Sequence, residues 1–523
     1  MPEAAENVVI ALVPLDERPV NTRYPQMLGA IAGAEVLLPP AEHRGRQRDP
    51  ADRNAVQAWL RGEASVRTNA VIVSTDYLLY GNLINARISR ESAAEVMPRL
   101  GVLDELSRAG KLIYAFSLIT RVSNADDCVE EPDYWCTFGT RFYRYSQLLH
   151  RREAGALEPG DAEALEALRN EELPPHLVSD WLQRRLRNHT LNLALLDLLD
   201  RQTLEFLLVT SDDTSPWGLP SREKTWLESW ARLLRREGEA PRLLIHPGAD
   251  ELGSALTARL ICARRGDVPA LYPLYAVPGG EEITAPYEDR AVRITVEGQI
   301  RACGGRVAAT PEEADIILGV LPPSPRRTEF RADFADAERA ERTPYYEAFF
   351  RALARLQEAG KPIALGDVTY PNGSDPLAIE MLLAPGSPLE PASLAAYGAW
   401  NTAGNTLGVV VAQAVLSRYA AGDPARERAQ ARFLAHRFLE DWGYQAMVRR
   451  EAREKVLAAF GRKDPDPESE EQQAFARAAI EEGLTGALAT LQARGIGAGL
   501  HLVPGSVRLP WRRTFEADFD LAE

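Results

Sequence analysis

The sequence predicts a parallel α/β protein, with a (β/α)8-like barrel as the favoured architecture and an open doubly wound sheet as the alternative. Three observations carry this. Short apolar runs recur through residues 1–420, helical periodicity separates them, and nearly every run ends in polar residues. Those runs occupy 8–13, 35–38, 70–74, 111–117, 206–209, 242–245, 271–277, 315–320 and 362–365. Helices are expected over 54–61, 142–170, 177–199, from about 221, and over 252–264, 294–303, 345–359 and 407–416. The segment 126–135 is acidic and aromatic without a period, and reads as an excursion from the core. Residues 421–523 change texture. They predict a helical cap: one long helix over 426–460, a polar linker over 461–468, a helix over 471–493 and a closing edge strand over 507–515. The predicted domains are therefore a 1–420 core and a 421–523 cap, with no internal repeat.

Composition narrows the partners. The 523 residues are 45% apolar and 26% charged, ordinary for a globular chain, with a formal net charge of −15. That acidity argues against nucleic acid. Residues 1–7 lack the basic start of a secretion signal, and no apolar run approaches the roughly 18 residues of a membrane helix. Cys128, Cys136, Cys262 and Cys303 show no C-x-x-C spacing, so neither zinc nor a disulfide framework is expected, and the default is a cytoplasmic chain with reduced thiols. No glycine-rich dinucleotide or P-loop motif is present, and no cofactor is expected.

Candidate chemistry gathers after the strands, where parallel α/β folds place their functional groups. Glu205 to Gly218 reads E-F-L-L-V-T-S-D-D-T-S-P-W-G, an apolar strand that breaks at two adjacent carboxylates, Asp212 and Asp213. Their repulsion makes one of them a candidate proton donor; the competing role is an Asx cap on the next helix. Around this pair the strand ends offer Asp16, Arg18, Asn21, Asp76, Asn82, Arg121, Trp217, Asp250, Asp367, Asn372, Asp375, Trp400, Asn401 and Asn405. Carboxylates and amides hydrogen-bond hydroxyls, and indoles stack on sugar rings, so this mixture suits a polyhydroxylated small molecule or oligosaccharide. Singly, each Asn also suits a turn or cap, Asn405 especially. A metal site would have to draw on Asp16, His246, Asp250 and Asp367, without an H-x-x-x-H or H-x-H to support it.

The segments P-L-D-E-R-P-V-N, T-S-D-D-T-S-P-W-G, H-P-G-A-D-E-L-G, D-V-T-Y-P-N-G-S-D, W-N-T-A-G-N-T-L-G and L-P-W-R-R-T-F-E together resemble the bacterial domain of unknown function 4127 family over nearly the whole chain. That resemblance implies membership and no activity. At the level of the site, the Asp212-Asp213 pair is similar to that of O-linked N-acetylglucosaminidases and related β-N-acetylhexosaminidases, which implies Asp367, Asn372 and Asp375 as later sugar ligands. The expected function is a carbohydrate-active hydrolase using the Asp pair in substrate-assisted cleavage. The alternatives are a metal-dependent amide or ester hydrolase built on the His246–Asp250 segment, and a non-catalytic sugar- or metabolite-binding protein.

Overall fold

A computed structural model describes residues 8–234, 241–326, 332–461, 464 and 466–523. The expectation for residues 1–7, and part of that for the 461–468 linker, lie outside them. Two compact units divide the chain. The first comprises the chain up to Glu17, Glu35–Leu256 and Tyr287–Asp289; the second comprises Arg18–Ala34, Thr257–Pro286 and Arg290–Glu523.

The first unit is built on β1 (Val9–Val13), β2 (Glu35–Leu37), β3 (Ala70–Ser74), β4 (Leu112–Ile119), β5 (Phe206–Ser211) and β6 (Leu243–Pro247). They form one parallel sheet in the order β2-β1-β3-β4-β5-β6. Every residue of β3 and β5 is buried, as expected of strands covered on both faces. Leu195, Leu196 and Leu199 of the helix Pro175–Asp200 join Val71, Val73, Leu207 and Val209 in its core.

The second unit holds β7 (Ala270–Tyr275), β8 (Arg306–Val307), β9 (Ile316–Leu321), β10 (Ile363–Asp367) and β11 (Ala396–Gly398). Their order is β11-β10-β9-β7-β8, again parallel. Counted from the other edge this is the 2-1-3-4-5 order of open doubly wound sheets, which the first unit also follows before adding a sixth strand. The two units thus repeat one topology, although the sequence displays no repeat.

Among the described residues the strands form these open sheets and no closed barrel. A strand-helix alternation is common to both architectures. What separates them is which strands pair at the edges, and that is a long-range choice invisible to local pattern.

The predicted 1–420 and 421–523 division differs from the contact division. Leu434, Phe438, Leu484 and Leu488 share one core with Ile317, Ile363 and Leu365, so the C-terminal helices complete the second unit. That unit also takes in Arg18–Ala34, between β1 and β2. Tyr24 in its helix Arg23–Ile31 meets Phe433 edge-on at 5.7 Å and lies under the Arg437 guanidinium at 3.9 Å. A short antiparallel pair, β12 (His501–Leu502) with β13 (Leu521–Ala522), closes the chain.

Three local expectations change. The helix expected over 142–170 is two, Trp135–Glu153 and Asp161–Ala167, separated by Gly155 and Gly160 at φ 66° and 88°. The helix expected over 426–460 is interrupted by a π-helical stretch, Leu439–Val448, which carries Glu440 and Asp441. The edge strand expected over 507–515 is absent. Pro510 and two successive left-handed residues, Trp511 (φ 53°) and Arg512 (φ 55°), turn the chain there instead.

Cys128 and Cys136 form a disulfide, with Cα atoms 4.8 Å apart, while Cys262 and Cys303 are free and buried. The expectation of four reduced thiols is thereby corrected. Disulfides persist in oxidising surroundings, so cysteine usage no longer argues for a reducing compartment. No helix among the described residues is long and apolar enough to cross a membrane. Closing a loop of sequence separation 8 stabilises by about 2–3 kcal/mol on the chain-entropy account. Replacing both Cys128 and Cys136 by Ser should therefore lower the urea midpoint by that equivalent, and an unchanged midpoint would show that the bond contributes nothing to the fold.

Candidate functional site

Because β3, β4 and β5 run parallel as neighbours, the residues that follow them emerge at one edge of the first sheet. Asp76 follows β3 in the first turn of the helix Thr75–Tyr80, whose N-terminus Ser74 caps by accepting from the Tyr77 amide. Arg121 follows β4. Asp212 and Asp213 follow β5, with Asp213 in the left-handed region at φ 34°, which an Asp tolerates in a tight turn.

Two arginines tie these ends together. Arg87, at the end of the helix Leu83–Ile88, donates to Asp212 Oδ2 at 2.6 Å and to Glu130 Oε2 at 2.9 Å. Arg121 donates to Asp213 Oδ2 at 2.7 Å, to Glu131 Oε1 at 2.8 Å and to Glu130 Oε2 at 3.1 Å. Glu130 thus bridges the two guanidinium groups, and Glu131 lies 3.8 Å from Arg87 as well. Asp76 accepts from the Leu118 amide at 2.9 Å and feels the charge of Asp212 and Arg87. The disulfide loop is what delivers Glu130 and Glu131 to this place.

Five carboxyl groups (Asp76, Glu130, Glu131, Asp212, Asp213) face two guanidinium groups, so full ionisation would leave a net negative site with little water to screen it. The acids respond accordingly. Burial pushes the Asp76 carboxyl up to about 7, against the Leu118 hydrogen bond. Burial also raises Glu131, against the pull of Arg121 and Arg87. Asp213 is raised by burial and then by the charge of Asp212, with Arg121 opposing. Exposure separates the Asp pair: the Asp212 side chain is 7% accessible and that of Asp213 33%. Asp213 is the more exposed member of the pair.

The other predicted residues of the first unit divide. Asp16 is fully buried after β1; burial raises the nearby Tyr77 phenol, and the charge of Asp16 adds a minor push in the same direction. Asn82 accepts from the Asn85 amide, capping its helix, and donates to the Gln47 and Asp49 carbonyls. That is a structural role. Trp217 is half-buried, with His150 edge-on at 5.0 Å and Arg151 over its ring at 5.4 Å. Asp250 is buried after β6, and His246 Nδ1 donates to the Pro247 carbonyl at 2.8 Å. Among the described residues no group of three or more His, Cys, Asp or Glu is arranged to hold a metal ion.

In the second unit, Asp367 accepts from the Asp375 amide at 2.6 Å and the Thr369 amide at 3.1 Å. Asp375 caps the helix Pro376–Leu383 and takes Arg342 at 2.8 Å and Tyr346 at 2.9 Å. Both build the loop that carries them. Asn372 (φ 61°) and Asn401 (φ 64°) are left-handed and joined by an amide-to-carbonyl bond of 3.2 Å. Asn405 does not cap its helix; Thr402 does, accepting from the Asn405 amide. Trp400 is buried, and its indole N–H has no partner among the described residues. Arg18 and Asn21 are buried in this unit too, with the Asn21 amide donating to the Arg18 carbonyl.

Arg87, Glu130 and Glu131 were not singled out in the sequence, because a charged residue on a short helix or in an irregular excursion carries no spacing signal. Nor were Arg184, Arg185 and Arg187, buried on the helix Pro175–Asp200. Arg185 pairs with Glu223 at 2.8 Å and donates to the Thr120 carbonyl at 3.1 Å, while Arg187 donates to Ser89 and Ala86 carbonyls. They hold the loops that present Arg121 and Arg87. The one available signal was R-R-L-R lying within an otherwise apolar helical period.

Fold and site define a parallel α/β protein with an arginine-bridged carboxylate cluster at a strand-end edge. The chain belongs to a family described as a protein of unknown function (DUF4127), whose profile matches residues 10–520. No curated protein and no solved structure matches the chain, and the likeness to O-linked N-acetylglucosaminidases finds no support there.

Two outcomes follow from the cluster. An acid whose folded pKa is about 7, above the unfolded value of about 3.9, holds its proton more tightly when folded. Its stabilisation is complete below about pH 4 and is lost as the pH rises through about 7. The stability of Asp76→Asn relative to wild type should therefore improve from pH 4 to pH 8, and a pH-independent difference in urea midpoints would refute the shift. Arg87→Gln strands buried carboxylates and should cost about 3–5 kcal/mol. Arg87→Lys should recover only part, because an ammonium cannot reproduce the forked contact. Equal stability of the Gln variant and wild type would show that the bridge is not required.

Proposed function

We propose that the first unit's strand-end edge binds a sugar-like substrate and hydrolyses a glycosidic bond, with Asp213 as the proton donor. The observation that carries this reading is the pairing of a raised pKa with exposure: Asp213 combines both, beside a buried Asp212. An acid whose pKa is raised above the usual carboxylate range and that can reach a ligand is suited to protonate a leaving oxygen. Arg121 does not cancel the effect, because its charge is shared with Glu130 and Glu131.

Adjacent carboxylates do not straddle a glycosidic bond, which needs about 5 Å or more between nucleophile and acid. The scheme that fits is substrate-assisted. The carbonyl oxygen of a 2-acetamido group attacks the anomeric carbon as the glycosidic C–O bond breaks, and Asp213 gives its proton to the leaving oxygen. Asp212, fixed by Arg87, polarises the acetamido N–H. Water then opens the cyclic intermediate and returns a proton to Asp213. A small molecule or oligosaccharide is the partner, and no cofactor enters the scheme. A cytoplasmic setting is compatible with it provided that the Cys128–Cys136 bond is protected from reduction.

Asp213→Asn should slow cleavage of glycosides with poor leaving groups by about 10²–10⁴-fold and that of activated aryl glycosides much less. The check is a comparison of both substrate kinds, with and without a 2-acetamido group. Equal loss on both leaving groups rules out Asp213 as the acid, and indifference to the acetamido group rules out the assisted scheme.

A further inference from the structure

The helices Pro175–Asp200 and Leu219–Leu234 precede and follow β5 and lie side by side against the first sheet. Between them Arg185 pairs with Glu223 at 2.8 Å, and His189 meets Trp226 edge-on at 5.5 Å. Both contacts advance in the same sense along the chain, so the helices run in one direction and share an outer face. On the inner side Leu195, Leu196, Leu199 and Leu227 are buried in the core. The outer side is apolar as well. Leu182 is 39% exposed and Leu186 67% on the first helix; on the second, Trp226 is 40%, Trp230 52% and Leu233 77%. Spacings of three and four residues put each set on one stripe, and the His189–Trp226 contact joins the two stripes. A helix packed on one side alone ordinarily turns polar residues outward, and large apolar ones here call for a partner.

Among the described residues, carboxylates stand off this stripe. Glu228 is two positions from Trp226, round the far side of its helix, and Asp197, at the end of the stripe, pairs with Arg201 at 2.8 Å. At the margin Arg222 lies over the Trp226 ring at 5.2 Å and pairs with Glu153 at 2.8 Å. Residues 235–240, which follow the second helix, read R-R-E-G-E-A and supply no large apolar side chain to cover it. The exposed fractions leave roughly 500–600 Å² of adjoining apolar surface, the upper end of what a monomer carries. A stable dimer needs about 800 Å² from each partner, so the stripe and a polar rim around it are enough.

The charge of the chain selects the occupant. Two molecules of net charge −15 repel over most of their surfaces and approach closely where carboxylates are absent. A two-fold axis sets the stripe against itself, helices packing on helices, so that no complementary surface elsewhere is required. Tryptophan is the residue type that most often anchors such interfaces, and two of them stand here one helical turn apart. We infer that the helices Pro175–Asp200 and Leu219–Leu234 form the face of a symmetric homodimer, centred on Leu186, Trp226 and Trp230. The Arg185–Glu223 pair behind it holds the two helices as one surface. This face is independent of the chemistry assigned to Asp213.

The test is analytical ultracentrifugation of the full chain from sub-micromolar to tens of micromolar. Twice the monomer mass is expected at the upper end, and association should strengthen with added salt, because screening relieves the charge repulsion while the apolar contact persists. Leu186→Glu and Trp230→Glu should each raise the dissociation constant at least tenfold without changing the far-ultraviolet circular dichroism. The two substitutions lie on different helices, so a folding defect in one leaves the other decisive. A monomer at every concentration, or a dimer undiminished in the folded variants, would overturn the assignment. So would a monomer that instead co-floats with phosphatidylcholine–phosphatidylserine vesicles through Trp230, which would give the stripe to a lipid surface.

Discussion

The shared hold of Arg87 and Arg121 on Glu130 is the constraint on which the first unit's polar edge depends. Parallel strands deliver carboxylates to one edge whether or not the charges suit each other. Five acids at that edge repel unless cations are set between them, and burial sharpens the repulsion by removing water. Two guanidinium groups, each forked toward different acids, make the arrangement stable while leaving it short of positive charge. Burial, with the charge of Asp212 added at Asp76 and Asp213, raises the pKa values of Asp76, Glu131 and Asp213.

The supports of that edge lie behind it. Arg184, Arg185 and Arg187 donate to main-chain carbonyls around residues 86–91 and 120–121, satisfying loop backbone that would otherwise be buried unpaired. The helix Pro175–Asp200 thus does more than cover the sheet. It sets where the two bridging arginines begin. The second unit handles its buried charge differently: Asp367, Asp375, Glu338 and Arg342 close a network around Tyr346 and Tyr370, and that network builds loops. Similar residue types at equivalent strand ends meet different partners: Arg87 of a short helix and Arg121 of a loop in one unit, Glu338 and Arg342 of the helix Ala332–Glu358 in the other.

The cysteine pair shows how local reading misleads. Eight residues of separation matched no disulfide or metal motif, yet the excursion folds back and brings Cys128 within 4.8 Å of Cys136. The same fold-back places Glu130 and Glu131 on the arginines. In the second unit, L-P-W-R-R-T-F-E looked like a strand by composition, and becomes a turn because contacts from Gln445, Tyr444 and Gln473 hold a left-handed backbone.

Local chemistry in the sequence determined the parallel α/β class, most strand positions, the strand-end location of Asp76, Arg121, Asp212 and Asp213, and the family. Each of these follows from apolar periodicity or from residues adjacent in the chain, and such signals survive without knowledge of partners. Tertiary structure alone decided that the strands form two open sheets of one repeated order, that Arg18–Ala34 belongs with the C-terminal helices, and that Asp367, Asp375 and Asn82 build loops. It alone brought Arg87, Glu130 and Glu131 to the Asp pair. Strand pairing and buried ion pairs are contacts between residues tens to hundreds of positions apart, and their energies depend on burial that no local window of sequence specifies.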